Sequence, residues 1–155
     1  MLELYTPGSE AEWLRSFRFA EPVRPRFGET DALGHVSNTV YSAYWELARL
    51  RYFETVGEAD DAPNRILAFN HMAVEIHTRM MRPCFYDEEL LVHARIAALG
   101  RSSATFEYAL TSAANTADVR AVARIAVVRS ADDVRPSPWT PGQRAKLEKF
   151  EGRAL

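Results

Sequence analysis

Hydrophobic and polar residues alternate along much of the second half of the chain. Between Met72 and Met80 the even positions are Met, Val, Ile, Thr and Met, and the odd positions include Glu, His and Arg. The segments ELLVHARIAAL and SATFEYALT repeat this period of two, and VRAVARIAVV is interpreted as a further strand. A period of two predicts strands with one buried face. The breaks between the segments are short, which favours antiparallel neighbours.

The first half contains one long apolar segment. From about Asn38 to Val56, aliphatic and aromatic residues leave almost no fully polar face on the expected helix. Such a helix is enclosed on most sides, and Gly57 suits its C-terminal end. We therefore expect an α+β arrangement in which a run of antiparallel strands wraps one long helix.

Shorter elements flank this helix and sheet. The spacing of Ser9 and Glu12 predicts a capped helix within residues 1–20, and Thr140 opens a similar motif for a helix within residues 140–155. The prolines around VRPRF predict an edge strand, where a missing N–H is tolerated. A length of 155 residues favours a single domain over residues 1–155.

Composition excludes several classes of protein and site. The formal net charge of −2 gives no general attraction to nucleic acid or anionic membranes. Cys84 is the only cysteine, which excludes an internal disulfide and a cysteine-rich zinc site and fits a reduced, cytoplasmic location. The N-terminal stretch has neither a basic start nor an apolar run, so no signal peptide is expected. No segment approaches the ~18 apolar residues of a membrane span.

The loop before the long helix carries the candidate chemistry. Asp31 lies seven residues before Asn38, and Gly34 between them lets the chain turn and another group approach. The first N–H groups of a helix lack partners and carry partial positive charge, so they stabilise a developing oxyanion. Together with a carboxylate they suffice to hydrolyse an activated acyl group such as a thioester. The alternative is that Asp31 only accepts hydrogen bonds within its own turn.

The segment FGETDALGHVSNTVYSAYWELAR resembles the 4-hydroxybenzoyl-CoA thioesterase family of hotdog-fold acyl-CoA thioesterases. That family has the pattern F-x-E-T-D-x-x-G-H-V-N-N-x-x-Y, followed by a helix with E-x-A-R. The resemblance extends from Val23 to about Phe150 and includes RPCFYDEELLV and LGRSSATFEYAL. It implies a hotdog fold, with a long central helix wrapped by about five antiparallel strands. It also implies a homodimer or homotetramer whose active site forms between subunits.

The resemblance also implies roles for individual residues. The catalytic carboxylate falls on Asp31, the backbone N–H that polarises the thioester carbonyl falls on Asn38, and Gly34 helps to shape the pocket. Ser37 replaces the family's usual asparagine but is still able to cap the helix. The products are a carboxylic acid and free coenzyme A. Whether Asp31 activates water or attacks to form a mixed anhydride stays open.

Three further residues near the loop and helix have two interpretations each. His35 either orients the acyl group or contacts Asp31, or it holds the loop by a backbone hydrogen bond. The side chain of Asn38 is a local cap rather than a catalyst. Glu46 either forms an ion pair with Arg49 on the same helix or, as in some hotdog thioesterases, acts on a substrate bound by the partner subunit.

Several charged residues on the sheet are candidates for ligand binding. The planar guanidinium group of arginine binds phosphate through two hydrogen bonds. The candidates for binding the phosphates of coenzyme A are therefore Arg79, Arg82 and Arg101. The alternative is that each is an ordinary solvated arginine on the surface. His71, Glu75 and His77 are assigned to one strand face, where a polar outer face or dimer edge is favoured over a metal site. We expect no metal and no cofactor other than the coenzyme A of the substrate.

Three other functions remain as alternatives. The first is hydrolysis of a thioester whose acyl group is carried by an acyl carrier protein instead of coenzyme A. A hotdog hydratase or dehydratase adds or removes water on the acyl chain, but it usually carries a histidine-centred loop unlike this one. A non-catalytic acyl-thioester binder needs no Asp31. The sequence does not identify the acyl group.

Overall fold

The computed structural model describes residues 10–57, 71–130 and 135–155. In chain order the elements are α1 (Glu10–Arg15), β1 (Phe19–Val23), a short 3-10 turn (Phe27–Glu29), α2 (Val40–Val56), β2 (His71–Met80), β3 (Leu90–Leu99), β4 (Ser103–Ser112), β5 (Val119–Arg129) and α3 (Pro141–Glu151). The predicted N-terminal helix is present, but Ser9, its predicted cap, lies outside the described residues. Within the described ranges, no helix is both long and apolar enough to cross a membrane.

The five strands form one antiparallel sheet in the order β1-β3-β4-β5-β2, and α2 lies against it. Trp45, Tyr52 and Phe53 of α2 are at most 1% exposed. The ring centroids of Trp45 and Tyr108 are 5.4 Å apart, and those of Tyr52 and Phe106 are 5.3 Å apart. Each such buried side chain contributes about 2–3 kcal/mol to folding. The predicted arrangement of one long helix wrapped by five antiparallel strands is confirmed.

The C-terminal end of α2 and the N-terminal end of α3 follow the predicted capping rules. Gly57 ends α2 in the left-handed conformation, with φ 81°. The Thr140 side chain accepts a hydrogen bond from the backbone N–H of Gln143, and Gln143 Oε1 accepts one from the backbone N–H of Thr140, so the capping box of α3 is confirmed. At its other end, α3 places the buried carboxylate of Glu151 2.8 Å from the N–H of Ile96, where the β3–β4 register shifts.

The predicted edge strand is present but begins earlier than VRPRF. It runs over Phe19–Val23 and, among the described strands, pairs with β3 alone, and Pro22 is one of its residues. An edge strand accommodates Pro22 because one side of the strand makes no ladder hydrogen bonds. The Phe19 ring packs edge-on against Tyr52, with centroids 5.7 Å apart, which ties β1 to α2.

The prediction that β2 buries an unbroken face of even-numbered residues is wrong. The register against β5 shifts between Ala73 and Glu75, so the side chains change face within the strand. The strand is also at the edge of the sheet, and its apolar side chains are about half exposed in the single chain. The exposed fractions are 44% for Met72, 61% for Val74, 49% for Ile76 and 49% for Met80.

The same bulge corrects the assignment of three polar residues to one face. His71 pairs with Arg129 before the shift, whereas His77 pairs with Arg124 after it, and alternating strand positions then place them on opposite faces. His71 stacks on Phe53 of α2, with ring centroids 4.2 Å apart. His77 instead contacts Glu75. Among the described residues, no group of three or more His, Cys, Asp or Glu is placed to hold a metal ion.

Candidate active site

The loop between the 3-10 turn and α2 is closed by its own backbone. The N–H of Asp31 donates to the carbonyl of His35 at 2.8 Å, and the N–H of Gly34 donates to the carbonyl of Asp31 at 3.0 Å. Gly34 has φ 76°, a left-handed conformation that glycine adopts without strain. The glycine therefore allows the tight turn that presents Asp31.

The Asp31 carboxylate has one oxygen engaged in this turn and one without a partner. Oδ1 accepts hydrogen bonds from the N–H of Leu33 at 2.8 Å and of His35 at 3.3 Å. Within the described part of the chain, Oδ2 makes no hydrogen bond, and the residue is exposed. The structure thus contains the turn-closing interaction, and it leaves the second oxygen available for chemistry.

The start of α2 carries no side-chain cap. Ser37 Oγ lies 3.1 Å from Thr39 Oγ1, and no described side chain accepts a hydrogen bond from the first N–H groups of the helix. The predictions that Ser37 or the Asn38 side chain caps α2 are therefore wrong. The backbone N–H of Asn38 has no acceptor among the described residues. An unpaired donor beside a helix N-terminus favours an incoming anionic or carbonyl oxygen.

An open cavity of about 470 Å³ lies between this loop, α2 and the end of β2. Its lining residues are Asp31, His35, Val36, Ser37, Asn38, Tyr41, Met80, Met81, Arg82 and Pro83. The structure therefore brings together four of the predicted site residues, namely Asp31, His35, Asn38 and Arg82. Gly34 lies in the same loop. Met80 was not anticipated, because its strand was assigned to the core, and Met81 lies directly after that strand.

His35 and Arg82 have defined surroundings in this cavity. The His35 ring packs edge-on against Phe85 at 5.2 Å, and its backbone closes the Asp31 turn. Arg82 donates to Asp118 at 2.7 Å, and Arg120 donates to the other oxygen of that carboxylate at 2.8 Å. Slight burial works to raise the pKa of Asp118, but the hydrogen bonds from both arginines outweigh it and lower the pKa.

The remaining predicted site residues lie outside the cavity. Glu46 is 65% exposed and sits 3.6 Å from the Arg49 guanidinium, which matches the ion-pair interpretation. Arg79 is exposed on β2. The carbonyl of Arg101 accepts a hydrogen bond from the N–H of Trp139, whose ring stacks on His71 at the far end of β2. The ten residues of β2 separate that end from the cavity by ~30 Å.

A buried tyrosine, Tyr41, lines the cavity, and the single cysteine, Cys84, lies behind it. Burial raises the pKa of Tyr41, and the Cys84 thiol is in hydrogen-bonding contact with its hydroxyl. Burial also raises the pKa of Cys84, outweighing that contact, which acts to lower it. The thiol therefore stays protonated at neutral pH and is not the nucleophile of this site.

Comparison with known proteins agrees with this architecture. Residues 25–147 match the family described as the thioesterase-like superfamily. A thioesterase from Thermus thermophilus, solved in complex with coenzyme A and zinc, is 30% identical, with a TM-score of 0.78 over 90% of this chain and 98% of that one. A thioesterase superfamily structure from Jannaschia sp. CCS1, 22% identical, shares the fold with a TM-score of 0.77 over 97% and 96% of the two chains.

A curated relative covers less of the chain. The uncharacterised protein YsmA of Bacillus subtilis (strain 168) is 31% identical over 97 residues, and the match spans 63% of each protein. The predicted hotdog fold is confirmed by these comparisons, and the predicted thioester hydrolase class is confirmed at the level of the family. From the match over residues 25–147 and the likeness to solved thioesterases, this chain belongs to the thioesterase-like superfamily.

Proposed function

We propose that this protein is an acyl-CoA thioesterase that hydrolyses an acyl-CoA to a carboxylic acid and coenzyme A. The observation that carries the proposal is the cavity, which is lined both by Asp31 and by Asn38, two residues before the start of α2. A thioester carbonyl bound there accepts a hydrogen bond from the Asn38 N–H and lies near the positive end of α2. The carbonyl carbon then becomes more electrophilic beside a carboxylate.

Asp31 acts in one of two ways in this proposal. As a general base, it takes a proton from water while the water oxygen attacks the carbonyl carbon. As a nucleophile, its free Oδ2 attacks the carbonyl and forms a mixed anhydride, which water then hydrolyses. In both routes the tetrahedral intermediate collapses, the carbon–sulfur bond breaks and coenzyme A leaves as a thiolate.

Arg82 is the candidate in this cavity for a coenzyme A phosphate. It is 65% exposed, so a phosphate can reach its guanidinium while Asp118 holds it from one side. The Thermus thermophilus relative was solved with coenzyme A, which supports a coenzyme A thioester as substrate. The ligand's long nucleotide arm then lies over the outer rim of the cavity.

A homodimer or homotetramer is part of the same proposal. The half-exposed apolar side chains of β2 and the free edge of the strand need cover, and a second copy pairing antiparallel along β2 supplies it. Such pairing sets the far end of one sheet beside the cavity of the other subunit. Arg101 then lies toward the partner's cavity rather than its own, and Glu46 on the exposed side of α2 faces the interface.

A panel of acyl-CoAs tests the function directly. Release of free thiol with first-order dependence on enzyme supports the proposal. Loss of enoyl absorbance without thiol release would indicate a hydratase instead. Thiol release from acyl carrier protein thioesters but not from acyl-CoAs would show that the substrate is an acyl carrier protein thioester. Binding of acyl-CoA with no reaction would indicate a non-catalytic binder.

A further inference from the structure

Glu29, a carboxylate to which no role has yet been given, ties the Asp31 loop to α2. Its Oε2 accepts a hydrogen bond from the Tyr44 hydroxyl at 2.9 Å and from the N–H of Arg26 at 2.8 Å. Its Oε1 accepts two more from the Arg26 guanidinium, at 3.0 and 2.7 Å. Its carbonyl oxygen accepts the N–H of Ser37 at 2.8 Å. Glu29 is therefore hydrogen-bonded both to Ser37, at the end of the Asp31 loop, and to Tyr44 of α2.

The charges at this contact favour a fixed geometry. Burial works to raise the pKa of Glu29, but hydrogen bonds from Arg26 and Tyr44 outweigh it and lower the pKa. Burial raises the pKa of Tyr44, so its hydroxyl stays protonated and donates. Tyr44 itself is only 6% exposed and packed in the core. A hydrogen bond from a buried hydroxyl to an ionised carboxylate is strong and directional.

We propose that Glu29 and Tyr44 are positioning residues that set the distance between the Asp31 carboxylate and the Asn38 N–H. The proposal rests on the thioesterase function. Asp31 follows Glu29 by two residues, and Asn38 directly follows Ser37, whose N–H is bonded to the Glu29 carbonyl. The Tyr44 hydroxyl anchors this assembly to the first turns of α2. A displacement of about 1 Å between catalytic groups costs about 10²-fold in rate.

Tyr44→Phe tests the contact by removing one hydroxyl and nothing else. We expect kcat to fall about 10- to 100-fold while KM for the acyl-CoA stays within about twofold, because the groups that bind substrate remain and only their alignment changes. Glu29→Gln keeps an acceptor for Tyr44 and should retain more activity than Glu29→Ala. The double variant Glu29→Ala/Tyr44→Phe should be no slower than Glu29→Ala alone, since both changes break one interaction.

Tyr52→Phe is the matched control. Tyr52 is another buried tyrosine of α2, and its hydroxyl donates to the carboxylate of Glu151, far from the loop. Both variants lose a hydrogen bond from a buried tyrosine to a carboxylate, partly buried at Tyr44 and fully buried at Tyr52, so both should lower the unfolding midpoint, Tyr52→Phe at least as much. Only Tyr44→Phe should lower kcat, which separates positioning from a general loss of stability.

Amide hydrogen exchange gives a second readout that needs no activity. Tyr44→Phe should make the amides of residues 29–38 exchange about tenfold faster, whereas Tyr52→Phe should leave them unchanged. The proposal is overturned if Tyr44→Phe retains the parent kcat and exchange, or if Tyr52→Phe lowers kcat equally. A parent protein that releases no thiol would refute the thioesterase function instead, and the exchange experiment alone would then decide whether the contact orders the loop.

Discussion

At the scale of single residues, His71 has the most strongly shifted histidine pKa in the described ranges. Its ring stacks against Phe53 and Trp139, with centroid distances of 4.2 and 5.2 Å, and among the described residues neither ring nitrogen has a hydrogen-bond partner. Burial, followed by the positive charges of Arg129 and Arg49, lowers its pKa from 6.5 to about 3. The folded protein therefore holds a neutral imidazole over most of the acidic range.

This shift predicts a loss of stability on acidification. Below pH 6.5 the unfolded chain takes up a proton at His71 and the folded protein does not, so the stabilisation is complete above pH 6.5 and decreases toward pH 3. The expected loss between pH 7 and 5 is about 2 kcal/mol in the free energy of unfolding. Urea unfolding of His71→Phe should show a smaller pH dependence than the parent by this amount. His77→Gln is the control, because His77 is 44% exposed.

Arg82 carries the second prediction at this scale. Arg82→Ala should raise KM for an acyl-CoA more than it lowers kcat, because a phosphate contact contributes equally to substrate and transition state. Rising salt should reduce the difference from the parent. An acyl thioester of N-acetylcysteamine lacks the phosphates and should be hydrolysed with unchanged KM. If alanine at Arg79, Arg82 and Arg101 in turn leaves KM for acyl-CoA unaltered at low salt, the nucleotide assignment is wrong.

At the scale of elements, β2 is where sequence and structure differ most. Its alternation is typical of a half-buried strand, yet the strand lies at the sheet edge and changes face at a bulge between Ala73 and Glu75. The bulge has no glycine or proline to mark it, so the pattern alone did not reveal it. The apolar residues match a buried strand because, in the proposed dimer, a second copy covers them.

Ile76→Lys tests this account of β2. The side chain is 49% exposed in one chain, so lysine is tolerated there, but it places a charge in an interface between paired strands. Light scattering should find the parent as a dimer or tetramer and the variant as a monomer with lower activity. Ala114→Lys, in the exposed β4–β5 turn, is a matched charge control that should keep the parent assembly. A parent protein that is monomeric at micromolar concentration would contradict the proposal.

At the scale of the whole molecule, the parts that could be predicted are those encoded by neighbouring residues. The long helix, its glycine end, the capped C-terminal helix and the loop from Asp31 to Asn38 all depend on local spacing. The position of Arg101 was not predictable, because it depends on which end of the sheet the β3–β4 turn occupies. The Glu29–Tyr44 contact was also missed, since it joins the loop to the buried face of α2.

The central claim is that Asp31 reacts with the substrate and does not merely close its turn. Asp31→Asn separates the two roles, because asparagine keeps an oxygen for the N–H groups of Leu33 and His35 but loses the negative charge. Folding, assembly and acyl-CoA binding should survive, whereas the steady-state rate of thiol release should fall by about 10² or more. A variant that hydrolyses its best acyl-CoA at close to the parent rate would contradict the mechanism and make Glu46 the leading carboxylate.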